Sequence, residues 1–142
     1  MPKLDETSGC LAADRNNIRQ RIERISSIKS ETRKDLYKGI LKTVRHIDGH
    51  LEDELNLETL AKISAISKYY LIKVFSEVFE CTPHQYVKQR RVFKARHLLK
   101  HTDKSIIDIC FEVGFKSQGS FTTLFTKMNA MSPKKYRDKF KK

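Results

Sequence analysis

Apolar residues recur every three or four positions along most of the chain, which is the spacing of amphipathic helices. Strand-like alternation is absent and glycine and proline are few, so the sequence predicts an all-α protein. One apolar stripe runs from Leu36 to Ile47, and a weaker one covers residues 14–29. We expect residues 1–13 to form a disordered leader. The 14–29 segment is expected to pack on the main domain, although a dimerising stripe or a frayed segment fits the same pattern.

Helix-start signals then divide the chain into short segments. Asn56 and Ser67 predict the N-caps of two short helices joined by a tight turn, which together form a helix-turn-helix. Thr82 and Ser132 are each followed by proline, a combination that favours the first turn of a helix. The predicted helices after residue 50 are, in order, about 57–63, 68–79, 83–100, 106–113, 117–128 and one that starts at 133.

The chain repeats itself at a fixed distance. Phe75 and Phe125 are 50 positions apart, and the pairs Pro83/Pro133 and Tyr86/Tyr136 keep that distance. Before the second helix of each unit the distance is 49, so one residue is inserted in the second turn, where Lys116 stands. A fixed internal period indicates a duplicated unit. We therefore divide the chain into an extension (1–35) and a main domain (36–142), the latter consisting of a first helix-turn-helix subdomain (36–82), a linker helix (83–100) and a second helix-turn-helix subdomain (101–142).

Charge points to a polyanionic partner. The 142 residues carry a net charge of +12 with a sequence pI of about 9.7, and double-stranded DNA is a long, repetitive polyanion that two similar units could bind. The charge is uneven, since residues 81–142 hold 15 basic and 4 acidic residues whereas residues 36–80 hold 6 and 7.

Other classes of function find little support. Cys10, Cys81 and Cys110 show no C-x-x-C spacing, so we expect neither a disulfide framework nor a metal site, and Cys81 and Cys110 are interpreted as small core residues. Five scattered histidines pair with no carboxylate in sequence, so we expect no enzyme activity, no catalytic residue and no cofactor. With no cysteine framework, no membrane-spanning run and no signal peptide, the expected location is the cytoplasm.

Candidate DNA contacts follow from the helix phases. The second helix of a helix-turn-helix lies in the major groove, with its N-terminal residues over the base edges. A solvated helix face is the competing interpretation for the lysines, and partial burial is the competing one for the tyrosines. The candidates in the first unit are Ser67, Lys68, Tyr69, Tyr70, Ile72 and Lys73; those in the second are Ser117, Gln118, Gly119, Ser120, Thr122, Thr123 and Lys127. Lys134 and Arg137 are candidate phosphate contacts, Arg91 is expected to hold a structural role, and the final lysines are expected to form a loose tail.

The stretch from Tyr86 to Arg137 resembles the signature of AraC/XylS-type transcription regulators. The matching positions are Tyr86, Arg91, Ala95, Leu98, Leu99, Thr102, Ser105, Ile106, Ile109, Gly114, Phe115, Phe121, Phe125, Ser132, Pro133, Tyr136 and Arg137. The resemblance implies two helix-turn-helix subdomains joined by a long helix, both recognition helices on one face, sequence-specific promoter binding and activation through RNA polymerase. Three positions depart from the family pattern: Cys110 replaces alanine, Thr123 replaces arginine and Thr126 stands where lysine is common.

Several alternatives stay open at this point. The 35 residues before the domain are too few for the ligand-sensing domain that most family members carry. The chain is therefore either a stand-alone regulator controlled by its abundance or the output domain of a longer one. A DNA-repair accessory module with an alkyl-accepting cysteine and a basic helical adaptor for RNA or protein are weaker alternatives. Because the scaffold repeats while the outward residues differ, we expect a monomer to bind two unequal half-sites, with the first unit dominant.

Overall fold

A computed structural model describes residues 15–23 and 30–141 of the chain. These two stretches fold into eight α-helices without a β-strand, which confirms the all-α prediction. The predicted leader and residues 24–29 of the predicted first helix lie outside the described residues. The helices are α1 (Arg15–Glu23), α2 (Ser30–Gly49), α3 (Leu57–Ser64), α4 (Lys68–Phe79), α5 (Pro83–His101), α6 (Ile106–Glu112), α7 (Gln118–Asn129) and α8 (Pro133–Phe140).

The chain divides into two compact units. The first contains residues up to 50 together with 55–87, and the second contains residues 51–54 together with 88–142. Each unit holds one helix-turn-helix pair, α3 with α4 in the first and α6 with α7 in the second. The finer division into subdomains and a linker helix stays a prediction.

In the first unit, α4 is fixed by its apolar face. Leu71, Val74, Phe75 and Val78 are all at most 1% exposed, as the 3.6-residue period predicts. Helix α1 packs against α2 and α4. Among the residues that α1 contributes, Ile18 and Ile22 are fully buried or nearly so, so the expectation that this segment docks on its own unit is confirmed for residues 15–23.

Two polar contacts accompany that docking. The Arg21 guanidinium donates to Glu80 Oε2 at 3.1 Å, immediately after the end of α4. The Arg19 guanidinium lies 5.0 Å from the centroid of the Tyr37 ring on α2, a distance within which a cation is attracted to the π-face. Helix α1 is therefore tied both to α2 and to the C-terminal end of α4.

The second unit is built around the apolar faces of α5, α6 and α7. Val92, Ala95 and Leu99 of α5 pack with Ile109, Cys110, Phe121 and Phe125, and every one of these side chains is fully buried. Arg91 takes a structural role at the edge of this core. Its Nε donates to the Leu51 carbonyl at 3.0 Å and its Nη2 to the Asp53 carbonyl at 2.9 Å. Burial lowers the pKa of Arg91 below its usual value.

The two turns have the same hydrogen bonds at a distance of 49 residues. In the first turn the N–H groups of Ala65 and Ile66 donate to the carbonyls of Lys62 and Ala61. In the second the N–H groups of Gly114 and Phe115 donate to those of Phe111 and Cys110. Ala65 and Gly114 both have positive φ, 59° and 103°. The extra residue of the second turn therefore lies after Phe115 and before Ser117, where the sequence comparison placed it.

Beyond the turns, equivalent residues of the two units are 50 positions apart in the sequence. Helices α4 and α7 both end on a left-handed residue, Glu80 at φ 60° and Ala130 at φ 58°. A tyrosine ring and a phenylalanine ring then meet in a T-shaped arrangement in each unit, with centroids 5.6 Å apart for Phe75–Tyr86 and 5.4 Å apart for Phe125–Tyr136. The repeat in sequence is thus a repeat of caps, turns and aromatic packing.

The cysteines require one correction. Cys110 is a free, buried thiol whose pKa is raised by burial, as expected for a small core residue. Cys81 is also buried, but it is disulfide-bonded, so the expectation of a plain core thiol is wrong for Cys81. The disulfide could not be predicted from the sequence, because the cysteines are three in number and irregularly spaced.

Candidate nucleic-acid interface

Helix α4 is set at its start by Ser67. The hydroxyl oxygen of this N-cap accepts a hydrogen bond from the Tyr70 N–H at 3.2 Å, which satisfies one of the backbone donors left free at a helix start. With Leu71, Val74 and Phe75 buried, the opposite face must lie toward solvent. The structure therefore holds the first turns of α4 rigidly while leaving one of its faces open.

The open face of α4 carries the predicted residues. Tyr69 is 79% exposed and Ile72 is 39% exposed, so both side chains are accessible to a partner. Ser67, Lys68 and Lys73 are also exposed, whereas Tyr70 is half-buried. Lys68 Nζ lies 3.5 Å from Glu58 Oε1 on α3. Since both side chains are exposed, this pair is weakly held and leaves Lys68 available to an anion.

Helix α7 repeats this arrangement with smaller side chains. The Ser117 hydroxyl oxygen accepts from the Ser120 N–H at 3.2 Å, the same distance as in the first unit. Residues 117–120 are all exposed, as are Thr123 and Lys127, whereas Thr122 is half-buried. A Cβ added at Gly119 would meet nothing within 4 Å, so this glycine is not required by packing. Because Gly119 has no side chain, a partner could approach the helix backbone closely at this position.

The starts of α4 and α7 favour anions more than the starts of the helices that they are paired with. Neither helix has an acidic residue in its first turn, so the positive end of the helix dipole is not neutralised locally. The preceding helices differ, since α3 carries Glu58 and α6 carries Asp108 in the first turn. Within each helix-turn-helix pair, the second helix is therefore the one whose start suits a phosphate.

The basic C-terminus is only partly open. Lys134 is exposed, but the guanidinium of Arg137 donates to the carbonyls of Leu99 and Thr102, both at 3.2 Å. Lys141 donates to the same Thr102 carbonyl at 3.2 Å and pairs with Asp103. The expected loose tail is therefore wrong for Lys141, because α8 brings its ammonium to the Thr102 carbonyl and the Asp103 carboxylate, which follow α5. Lys142 lies outside the described residues.

Sequence reasoning missed one exposed position, Ser76, and named Thr126 only as a departure from the family pattern. Ser76 on α4 and Thr126 on α7 occupy equivalent places on the open faces, one turn beyond Lys73 and Thr123. The signal was present, since each follows a candidate residue by three positions, the spacing of neighbours on one helix face.

The described ranges contain no group of three or more metal-ligating side chains. They also contain no helix long and apolar enough to cross a membrane.

The sequence relates to known proteins through this double unit. A family model described as a helix-turn-helix domain matches residues 60–139, more than half of the chain. The regulatory protein SoxS of Escherichia coli (strain K12) is 35% identical over 100 residues, which are 70% of this chain and 94% of SoxS. The transcriptional activator RhaS of Enterobacter sp. (strain 638) is 35% identical over 91 residues, 64% of this chain. The chain spans about a third of RhaS, at 33% of its length.

A solved structure extends the comparison to the fold. The DNA-binding domain of AdpA, a global transcriptional factor crystallised with a target DNA, superposes with a TM-score of 0.66 at 26% identity. The match covers 69% of this chain and 88% of the AdpA domain. The fold is thus a tandem helix-turn-helix of the kind found in DNA-binding domains. The chain belongs to the AraC-type helix-turn-helix family of transcription regulators, which are not enzymes.

Proposed function

We propose that this protein binds double-stranded DNA sequence-specifically, with α4 and α7 in successive major-groove segments about 34 Å apart. One observation carries the proposal: the two helices share their caps and buried faces, while their exposed faces differ. Helix capping and core packing account for the shared residues, but they do not account for the residues on the exposed faces. The DNA-bound state of the AdpA domain supports the same assignment.

The exposed residues of α4 suit direct reading of bases. Lys68 and Lys73 can donate to guanine or phosphate, and Ile72 can pack on a thymine methyl group. Ser67, Tyr69 and Tyr70 lie around the helix start, where phosphate oxygens would approach the backbone N–H groups. We expect this unit to supply most of the base discrimination.

The exposed residues of α7 are smaller and mostly uncharged. Gln118 can pair bidentately with adenine, and the methyl groups of Thr122 and Thr123 can meet thymine. Since Gly119 and Ser120 add little bulk, DNA shape and close backbone approach would contribute in this half-site. Ser117, Lys127, Lys134 and Arg137 would contact phosphates, with Arg137 the weakest of them because its guanidinium already binds two carbonyls.

The biological setting follows from the same proposal. We infer that one monomer binds an asymmetric site with both units and activates transcription through RNA polymerase in the bacterial cytoplasm, at the nucleoid. The similarity to RhaS, which is named a transcriptional activator, supports activation over repression.

Substitution of Lys73 tests the interface. Bound sequences are first selected from a random duplex pool, and affinity for the selected site is then measured by fluorescence anisotropy. Lys73→Ala should weaken specific binding by about 1–3 kcal/mol if Lys73 contacts a base, and should relax preference at one position. Lys34→Ala, an exposed lysine near the start of α2 in the same unit, is the matched control and should change little. Equal affinity and unchanged preference in the Lys73 variant would remove this residue from the interface.

A further inference from the structure

Helices α1 and α2 of the first unit enclose a cavity that the proposed DNA interface does not use. Its volume is about 730 Å³, which lies within the range of about 300–1,000 Å³ usual for small-molecule sites in proteins. None of the residues that line it is a candidate DNA contact. The lining residues are Arg19, Ile22 and Glu23 of α1 and Arg33, Lys34, Tyr37 and Lys38 of α2.

The cavity has an excess of positive charge. Four of its lining residues are basic and one, Glu23, is acidic, which gives the lining a net charge of +3. Within the part of the chain that the structure describes, Arg19, Lys34 and Lys38 form no ion pair. Lys34 and Lys38 are four positions apart on α2, a spacing at which like charges repel and destabilise a helix. An anion in the cavity would relieve that repulsion.

An aromatic ring lies beside these charges. The Arg19 guanidinium is 5.0 Å from the centroid of the Tyr37 ring, and Tyr37 is half-buried. A guanidinium that lies on a ring keeps the N–H donors at its own edge, and these donors match two phosphate oxygens at once. The cavity therefore offers a planar donor, two ammonium groups and part of an aromatic surface to one ligand.

We propose that this cavity binds a small organic phosphate, with the phosphoryl group on Arg19, Lys34 and Lys38 and the apolar part against Tyr37. A phosphate monoester carries about −1.5 to −2 charges and three acceptor oxygens at neutral pH, so it matches three cations better than a single carboxylate does. Because both helices supply residues, the ligand binds while α1 is docked on α2 and should stabilise that docking. The proposal goes beyond DNA binding and does not depend on it.

Isothermal titration calorimetry of the full chain with phenyl phosphate, in a phosphate-free buffer, tests the proposal. Arg19→Gln/Lys34→Gln should weaken binding at least about tenfold, which is about 1.4 kcal/mol, because charge-assisted hydrogen bonds are lost. Lys34→Gln alone should weaken binding about threefold. It removes a like-charge repulsion, so it stays informative if the double variant is unstable. The matched control Arg45→Gln/Lys62→Gln removes the same two charges from exposed positions of the first unit outside the cavity and should stay within about twofold.

Inorganic phosphate should bind more weakly than phenyl phosphate, and phenyl phosphate should raise the unfolding temperature of the unmodified chain but not that of the double variant. Equal affinity for the two compounds would indicate an adventitious ion only and would overturn the proposal. It would also be overturned if the unmodified chain did not bind phenyl phosphate, or if both cavity variants bound it normally. Displacement of phenyl phosphate by the selected DNA duplex would place the ligand in the DNA interface, with the same consequence. Failure of the unmodified chain to bind any DNA would instead contradict only the proposed function.

Discussion

At the scale of single residues, the strongest constraint is at Gly114. Its φ is 103°, and a Cβ at this position would lie 2.0 Å from the Leu51 carbonyl oxygen and 2.6 Å from Arg91 Nε. The sequence predicted a glycine that ends α6, and a role for Arg91 inside the protein. It could not predict that Gly114 and Arg91 meet. Arg91 is held in place by the carbonyls of Leu51 and Asp53, which come 40 and 38 positions earlier in the chain and carry no periodic signal.

Gly114→Ala should therefore destabilise the protein by at least about 2 kcal/mol, from a strained φ and a displaced Arg91. Urea unfolding followed by circular dichroism measures the difference. Gly119→Ala is the control, because Gly119 is helical and an added Cβ meets nothing within 4 Å. That change should be neutral or stabilise by up to about 1 kcal/mol. Similar unfolding midpoints for the two variants would mean that the contact at Gly114 does not constrain the fold.

At the scale of elements, cap residues gave better predictions than apolar stripes. Helices α3, α4, α5 and α8 start directly after the predicted caps, since the cap hydroxyl or amide oxygen binds a local N–H group whatever the rest of the chain does. The apolar stripe predicted that helix α2 begins near residue 36, whereas it begins at Ser30. The stripe missed this start because the first turns of the helix are polar. The ion pair of Arg21 with Glu80 could not be foreseen, as 59 positions separate its members.

Helix α1 gives the element-scale prediction. Ile22 is 1% exposed, so Ile22→Ala should cost about 2–5 kcal/mol through lost burial and a residual cavity. Gln20→Ala, on the exposed side of the same helix, should stay within about 0.5 kcal/mol. Thermal unfolding compares the two variants. If both unfold at the temperature of the unmodified protein, α1 contributes nothing to the first unit and its docking is not maintained in solution.

At the scale of the whole molecule, the net charge of +12 predicted the class of partner but not which charges are available to it. Arg137 and Lys141 look equivalent to Lys134 in sequence, yet both bind backbone carbonyls. Those carbonyls lie in the last turn of α5 and directly after it, and whether the two side chains reach them depends on how α8 packs. The repeated scaffold could be predicted because burial limits its residues to a few apolar types. The exposed positions have no such limit, so their roles stay proposals.

Salt dependence tests which charges meet DNA. The logarithm of the association constant should fall linearly with the logarithm of salt concentration, with a slope of about −0.9 for each phosphate neutralised. Lys134→Gln should reduce that slope by about one, because Lys134 is exposed. Lys141→Gln should change it less, since Thr102 and Asp103 hold that ammonium. A flat salt dependence of the unmodified chain would point to a partner other than nucleic acid.

The matching ends of α4 and α7 have a consequence for how such proteins change specificity. Residues 67–80 and 117–130 are equal in length, and each stretch opens on a serine cap and closes on a left-handed residue. Each stretch can therefore be treated as a cassette whose backbone ends fit either position. Duplication, recombination or deliberate grafting could then move a reading surface from one half-site to the other without redesigning the turn that holds it. New operators become accessible to such a chain by exchange of whole segments as well as by single substitutions.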